Sequence, residues 1–134
     1  MSHFMIIKLK VLDDVTVPMT RLAIKKLDKK YDIEPASKHP RLPNFGGFNT
    51  VVMYNGEPTT IRMDFRQKEN GKLELVIGGE FYRTETNAKE FANKLSRCYS
   101  ETKIEQHAKA QNMIPVKKTV KENGDVVLRF RVAG

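Results

Sequence analysis

The stretch that decides the fold is residues 50–77, T-V-V-M-Y-N-G-E-P-T-T-I-R-M-D-F-R-Q-K-E-N-G-K-L-E-L-V-I. It contains two Asn-Gly pairs, Asn55-Gly56 and Asn70-Gly71, and apolar residues alternate with polar ones around them. Asn and Gly accept the positive φ angles of a tight turn, so Asn-Gly between alternating segments is a strong hairpin signal. The stretch therefore predicts a three-stranded antiparallel meander.

Further strands are predicted on both sides of this meander. A third Asn-Gly pair, Asn123-Gly124, joins alternating segments at 114–121 and 126–132. Near the N-terminus, residues 4–11 alternate in the same way and predict another strand. We expect all three Asn-Gly pairs to form hairpin turns in one sheet.

Two helices are predicted between these strands. Apolar residues recur at helical spacing over 18–31 and again from Asn87 onward, with a break near Ser100. Residues 32–49 hold three prolines and a Gly-Gly pair without periodicity, which favours a long loop. The order strand, helix, three-strand meander, helix, hairpin predicts a single α+β domain over residues 1–134. Its mainly antiparallel sheet should have about six strands, with the helices packed on one face.

The composition is that of a small basic globular protein. The chain has 134 residues, 30% of them charged, and a formal net charge of +8. A single cysteine, Cys98, excludes an intramolecular disulfide and fits a reducing compartment. We expect a cytoplasmic protein without membrane insertion, because the sequence has no apolar run of membrane-spanning length and no signal-peptide pattern.

Two segments carry the whole positive surplus. Residues 21–43 and residues 103–134 each contain seven basic and three acidic residues, and the rest of the chain balances. If the two segments meet in space, they form a patch that attracts anions. The alternative is that two lysine-rich surfaces only keep the protein soluble.

The loop is the first candidate binding site. Its candidate ligand-binding residues are Lys38, Arg41, Phe45, Gly46 and Gly47. The glycines free backbone N–H groups for an anion, the cations supply charge, and the ring can stack on a base. In the alternative interpretation, proline and glycine only shape the loop and its phenylalanines anchor it to the core.

The sheet face that points away from the helices is the second candidate site. Strand alternation assigns six cations to it: Lys8, Lys10, Arg62, Arg66, Arg129 and Arg131. Arginine suits a nucleic-acid contact because its planar fork binds phosphate at two points and stacks on rings. The alternative is an ordinary polar face with cross-strand ion pairs.

Three short motifs point to a family. They are M-S-H-F at 1–4, F-A-N-K-L-S-R-C-Y-S at 91–100 and N-G-D-V-V-L-R-F-R-V at 123–132. On these the chain resembles the conserved chloroplast reading frame thirty-five family, small plastid and cyanobacterial proteins with relatives in other bacteria and in phages. Its members often finish on Arg-Trp, which this chain lacks. The resemblance implies a single domain. Because the family has no described function, it transfers no catalytic residues to this chain.

Enzymatic chemistry has little support in the sequence. The histidines His3, His39 and His107 lie in different predicted elements, and Cys98 falls on the inward stripe of a helix. No metal-ligand spacing or paired-carboxylate motif occurs. We therefore expect a protein that is not an enzyme, with no catalytic residues, no bound metal and no cofactor.

The function predicted from the sequence is a non-enzymatic binding domain for an anionic ligand. Nucleic acid or a nucleotide is the first choice, bound through the basic sheet face and the Gly/Pro-rich loop. The alternative is a protein-interaction module that docks on an acidic partner, for example a phage-encoded inhibitor of a host complex.

Overall fold

Two antiparallel sheets and two helices make up the fold. The computed structural model describes residues 3–4, 7–8, 14–43, 47–81, 85–123 and 126–132. Its elements are β1 (His3–Phe4), β2 (Ile7–Lys8), α1 (Val17–Leu27), β3 (Tyr31–Pro35), a short 3-10 helix (Ala36–Lys38), β4 (Thr50–Tyr54), β5 (Glu57–Gln67), β6 (Leu73–Phe81), α2 (Glu85–Ala110), β7 (Met113–Val120) and β8 (Val126–Val132). The predicted α+β class is confirmed.

The predicted meander lies at the centre of the main sheet. The strand order is β1-β6-β5-β4-β3, with β2 also pairing with β6, and all these pairs are antiparallel. Positive φ angles occur at Asn55 (52°), Gly56 (81°) and Gly71 (82°), as the Asn-Gly prediction requires. The expectation of one sheet for all three hairpins is wrong, because β7 and β8 form a separate two-stranded sheet.

The segment predicted as an unbroken loop begins with a strand. Tyr31 to Pro35 form β3, which pairs with β4, and α1 ends earlier than predicted, at Leu27. Only Tyr31 and Ile33 carry apolar alternation in this strand, and it ends in proline. Pairing with β4 decides its conformation, because so short a pattern has no local preference strong enough to predict it.

The outer edge of β3 is closed to further strands. The carbonyl of Ile33 accepts from Arg21 Nη2 at 3.4 Å, and the Ile33 N–H donates to Asp32 Oδ1 at 2.8 Å. Pro35 has no N–H to offer. Occupied or missing edge groups protect a sheet from pairing with another chain, so this edge cannot extend the sheet.

Both helices pack on one face of the main sheet and enclose the core. The core residues are Val15, Ala23, Ile24, Ile33, Val52, Met63, Leu75, Ile77, Ala92, Leu95 and Tyr99. Thr16 caps α1 by accepting from the Met19 N–H at 3.2 Å, and its own N–H donates to the Tyr99 hydroxyl at 3.1 Å. This hydrogen bond fixes the start of α1 against α2.

The second helix is longer and more regular than predicted. It runs unbroken through Ser100, and Asn87, the predicted start, lies inside its first turn. Asn112 follows its last turn with φ 56°, a left-handed conformation common where helices end. No helix in the described ranges is long and apolar enough to cross a membrane.

Candidate anion-binding interface

Arg62, predicted to project outward as a ligand-binding residue, is buried, with only 2% of its surface exposed. Its Nε donates to the carbonyl of Pro43 at 3.1 Å, and its Nη1 donates to the carbonyls of Ile61, at 3.1 Å, and of Thr59. Alternation with the core residue Met63 does put Arg62 on the face away from the helices. The expectation of an exposed side chain is nevertheless wrong, because Arg62 fastens the loop between β3 and β4 to the sheet.

The loop between β3 and β4 folds over this face. His39 Nε2 lies 3.1 Å from Glu34 Oε1, and Phe48 is only 4% exposed. Val51 and Val76, both on the face away from the helices, are buried to 1% and 2% exposure. The anchoring role that the sequence left open therefore holds for Phe48, and the predicted open sheet face is largely covered.

The structure describes three of the five candidate binding residues of the loop, and all three are exposed. Lys38 and Arg41 are exposed, as is Gly47, whose φ of 107° requires glycine. Phe45 and Gly46 lie outside the described residues. Two of the loop's cations therefore remain accessible, but Phe48, the loop's described phenylalanine, is buried and cannot stack on a base beside them.

Of the other cations predicted for the main sheet, the structure describes the side chain of Arg66 alone, and a carboxylate pairs with it. Arg66 Nε lies 2.7 Å from Asp64 Oδ2, an ion pair of the kind that the alternative interpretation predicts. Lys8 pairs with Val76 through the backbone, but its side chain and the whole of Lys10 lie outside the described part of the chain. Charge on the described sheet face is therefore largely compensated.

Arg129 and Arg131 lie on the separate hairpin, here called the ribbon (β7 and β8). Leu128 alternates with them and lies opposite Lys118, whose Nζ is 2.7 Å from Glu101 Oε1 on α2. The Leu128 side of the ribbon therefore faces α2. Arg129 and Arg131 point to the opposite side and are exposed, as their alternation predicted.

A bulge in β7 adds a third cation to the two arginines. Pro115 pairs with Phe130 and Lys117 pairs with Arg129, so Val116 is an extra residue on β7. Without it, simple alternation would turn Lys117 to the same side as Pro115, toward α2. A bulge re-aims the side chains that follow it, and here it puts Lys117 directly opposite Arg129. Sequence reasoning missed Lys117, although a proline within a strand signals such an irregularity.

Lys117, Arg129 and Arg131 together form what we call the basic ribbon face. All three are exposed, and none forms an ion pair with a carboxylate that the structure describes. Directly paired residues in a ribbon have Cβ atoms about 5 Å apart, and residues two apart on one strand are separated by about 7 Å. Three uncompensated cations this close attract a polyanion.

A buried carboxylate attaches the ribbon to the helices. Glu101 is 7% exposed, and its Oε1 lies 2.7 Å from Lys118 Nζ and 3.5 Å from Lys26 Nζ on α1. Lys26 also contacts Glu105 at 2.6 Å. One lysine from each basic segment, Lys26 and Lys118, thus meets at Glu101, and ion pairs compensate these two charges. The hydrogen bond to Glu101 raises the pKa of Lys118.

The thiol lies beside this cluster and packs against the core. Cys98 packs against the core from its helix stripe, but it is only partly buried. Burial raises its pKa, and the charge of Glu101 adds to the effect. A neutral thiol is a weak nucleophile, so Cys98 is suited to packing. Within the described ranges, no three His, Cys, Asp or Glu residues are grouped as a metal site would require.

Comparison with known proteins does not assign the chain to a family. No family model, curated protein or solved structure matches it. The resemblance to the conserved chloroplast reading frame thirty-five family therefore stays a prediction.

Proposed function

We propose that this protein is a non-enzymatic binding domain for nucleic acid and that the basic ribbon face is its main contact. The observation that carries the proposal is the cluster of Lys117, Arg129 and Arg131, exposed and without a described carboxylate partner. Phosphate groups are the natural counter-charge for such a cluster, and arginine binds them at two points. The exposed Lys38 and Arg41 of the loop are candidates for additional contacts.

The test replaces all three cations by glutamine and measures oligonucleotide binding by fluorescence anisotropy. Each charge-assisted contact contributes on the order of 1–3 kcal/mol, so the triple variant should lose at least about 3 kcal/mol, or at least about a hundredfold in Kd. A matched control replaces three exposed lysines outside the ribbon, Lys29, Lys94 and Lys103, and removes the same charge. The control should bind nearly as the unmodified protein does. Equal losses in both variants would mean that only net charge matters.

Docking on an acidic protein, for example by a phage-encoded inhibitor of a host complex, is a second candidate. It is favoured by apolar side chains that the ribbon leaves exposed, Val116 (60%), Val120 (62%) and Val132 (69%). Protein interfaces bury exposed apolar side chains of this kind.

A pull-down from lysate with and without nuclease separates the two candidates. Recovery of a single protein that survives nuclease treatment and is lost in the ribbon triple variant would favour the protein partner. Material that disappears after nuclease treatment would favour nucleic acid.

A further inference from the structure

The ribbon has the dimensions of an element that enters a DNA groove. Its strands contain eight and seven residues, which span about 25 Å at 3.4 Å per residue. The two backbones of such a ribbon lie about 4.8 Å apart. The major groove of B-form DNA is about 12 Å wide and admits a two-stranded ribbon. The ribbon stands outside the main sheet, and α2 covers only one of its faces.

The side chains of the outward face suit a duplex better than a single strand. Single-stranded nucleic acid is held largely by bases stacked on aromatic rings. The only aromatic residue of the ribbon is Phe130, which alternates with Arg129 and Arg131 and lies on the side that faces α2. The outward face presents cations together with Thr119 and Val127, which form a cross-strand pair beyond Lys117 and Arg129. Cations serve phosphates and guanine edges, and threonine or aliphatic groups contact the thymine methyl.

The same geometry disfavours duplex RNA. The major groove of A-form RNA is deep and narrow, and side chains cannot read it. From the shape of the ribbon and the chemistry of its outward face, we infer that the basic ribbon face binds in the major groove of B-form duplex DNA. This inference rests on the proposed function and specifies its ligand.

The experiment compares a 20-base-pair DNA duplex, the RNA duplex of the same sequence and the single DNA strand, titrated by anisotropy at several salt concentrations. We expect the DNA duplex to bind at least tenfold more tightly than the other two. For that duplex, the Lys117→Gln/Arg129→Gln/Arg131→Gln variant should lower the slope of log affinity against log salt by about 2.7, about 0.9 for each lost phosphate contact. The Lys29→Gln/Lys94→Gln/Lys103→Gln variant, with the same loss of charge, should keep the slope of the unmodified protein.

Two variations of the same DNA duplex test which groove the ribbon occupies: one carries a modified base, and the other carries a minor-groove ligand. Glucosylated hydroxymethylcytosine fills the major groove and leaves the phosphates unchanged, so it should weaken binding at least tenfold. Netropsin fills the minor groove and should leave binding unchanged.

Binding that tolerates glucosylation and is displaced by netropsin would overturn the groove assignment. Equal binding of single strands or duplex RNA, lost in the ribbon variant, would overturn duplex specificity and leave the proposed function intact. An absence of binding to all three nucleic acids would overturn both.

Discussion

Replacing Arg62 by alanine should destabilise the protein strongly, because its guanidinium holds three backbone carbonyls in a buried site. It donates to Pro43, Thr59 and Ile61 and thereby joins the loop to the sheet. A hydrogen bond from a charged donor contributes about 1.5–3 kcal/mol. Allowing for water that reaches some of the freed carbonyls, we expect a loss of about 4 kcal/mol in the free energy of unfolding. For a chain of this length, that loss corresponds to a Tm lower by about 15 °C.

Urea denaturation followed by circular dichroism measures this loss directly. Arg66→Ala is the matched control, since Arg66 is four residues along the same strand and its side chain is 52% exposed in a pair with Asp64. An exposed pair contributes at most about 1 kcal/mol, so the control should stay close to the unmodified protein. If Arg62→Ala and Arg66→Ala were equally mild, Arg62 would be a surface residue and the covered sheet face would be wrong.

Three further predictions test the neighbouring features. Glu101→Gln should cost about 1–3 kcal/mol in urea unfolding, since it removes a buried carboxylate shared by two lysines. Because the pKa of Lys118 is raised in the folded protein, its pairing stabilises the fold below about pH 10.4, and this stability is lost as the pH rises through the folded pKa. The loss of stability at alkaline pH should therefore be smaller in Glu101→Gln than in the unmodified protein. An alkaline profile that is the same in both would contradict the pairing. Cys98 should react with a thiol reagent at least tenfold more slowly in the folded protein than in urea; equal rates would show an exposed thiol. Gly79→Ala should lower the Tm more than Gly71→Ala, because a Cβ at Gly79 would collide with the backbone oxygen of Thr60 on β5, whereas a Cβ at Gly71 would meet open space. Equal shifts would contradict that close approach.

Local patterns predicted the parts of the fold that short-range chemistry decides. The Asn-Gly turns at Asn55 and Asn70 and the alternation of β5 and β6 follow from backbone preference and from one buried face. The outward direction of Arg129 and Arg131 followed from the same alternation. These features depend on neighbours within a few residues, so the sequence is sufficient for them.

Features that depend on contacts between residues far apart in the chain could not be predicted from the sequence. Arg62 alternates like a surface residue, and only the return of the loop to Pro43 explains its burial. The ribbon forms its own sheet, and Lys118 joins it to Glu101 on α2, 17 positions back along the chain. Lys117 lies in the candidate site because the bulge at Val116 shifts the alternation of side chains along β7 by one residue. The candidate site therefore lies on the ribbon and not on the six-cation face predicted for a single sheet.

The most direct test of that assignment is a ¹⁵N-¹H correlation spectrum recorded during titration with the 20-base-pair DNA duplex. The account predicts that the largest amide shifts fall in β7 and β8, centred on Lys117, Arg129 and Arg131, with small shifts at Arg62 and Arg66 in β5. Shifts concentrated in β5 or around Lys38 and Arg41, with an unperturbed ribbon, would contradict it.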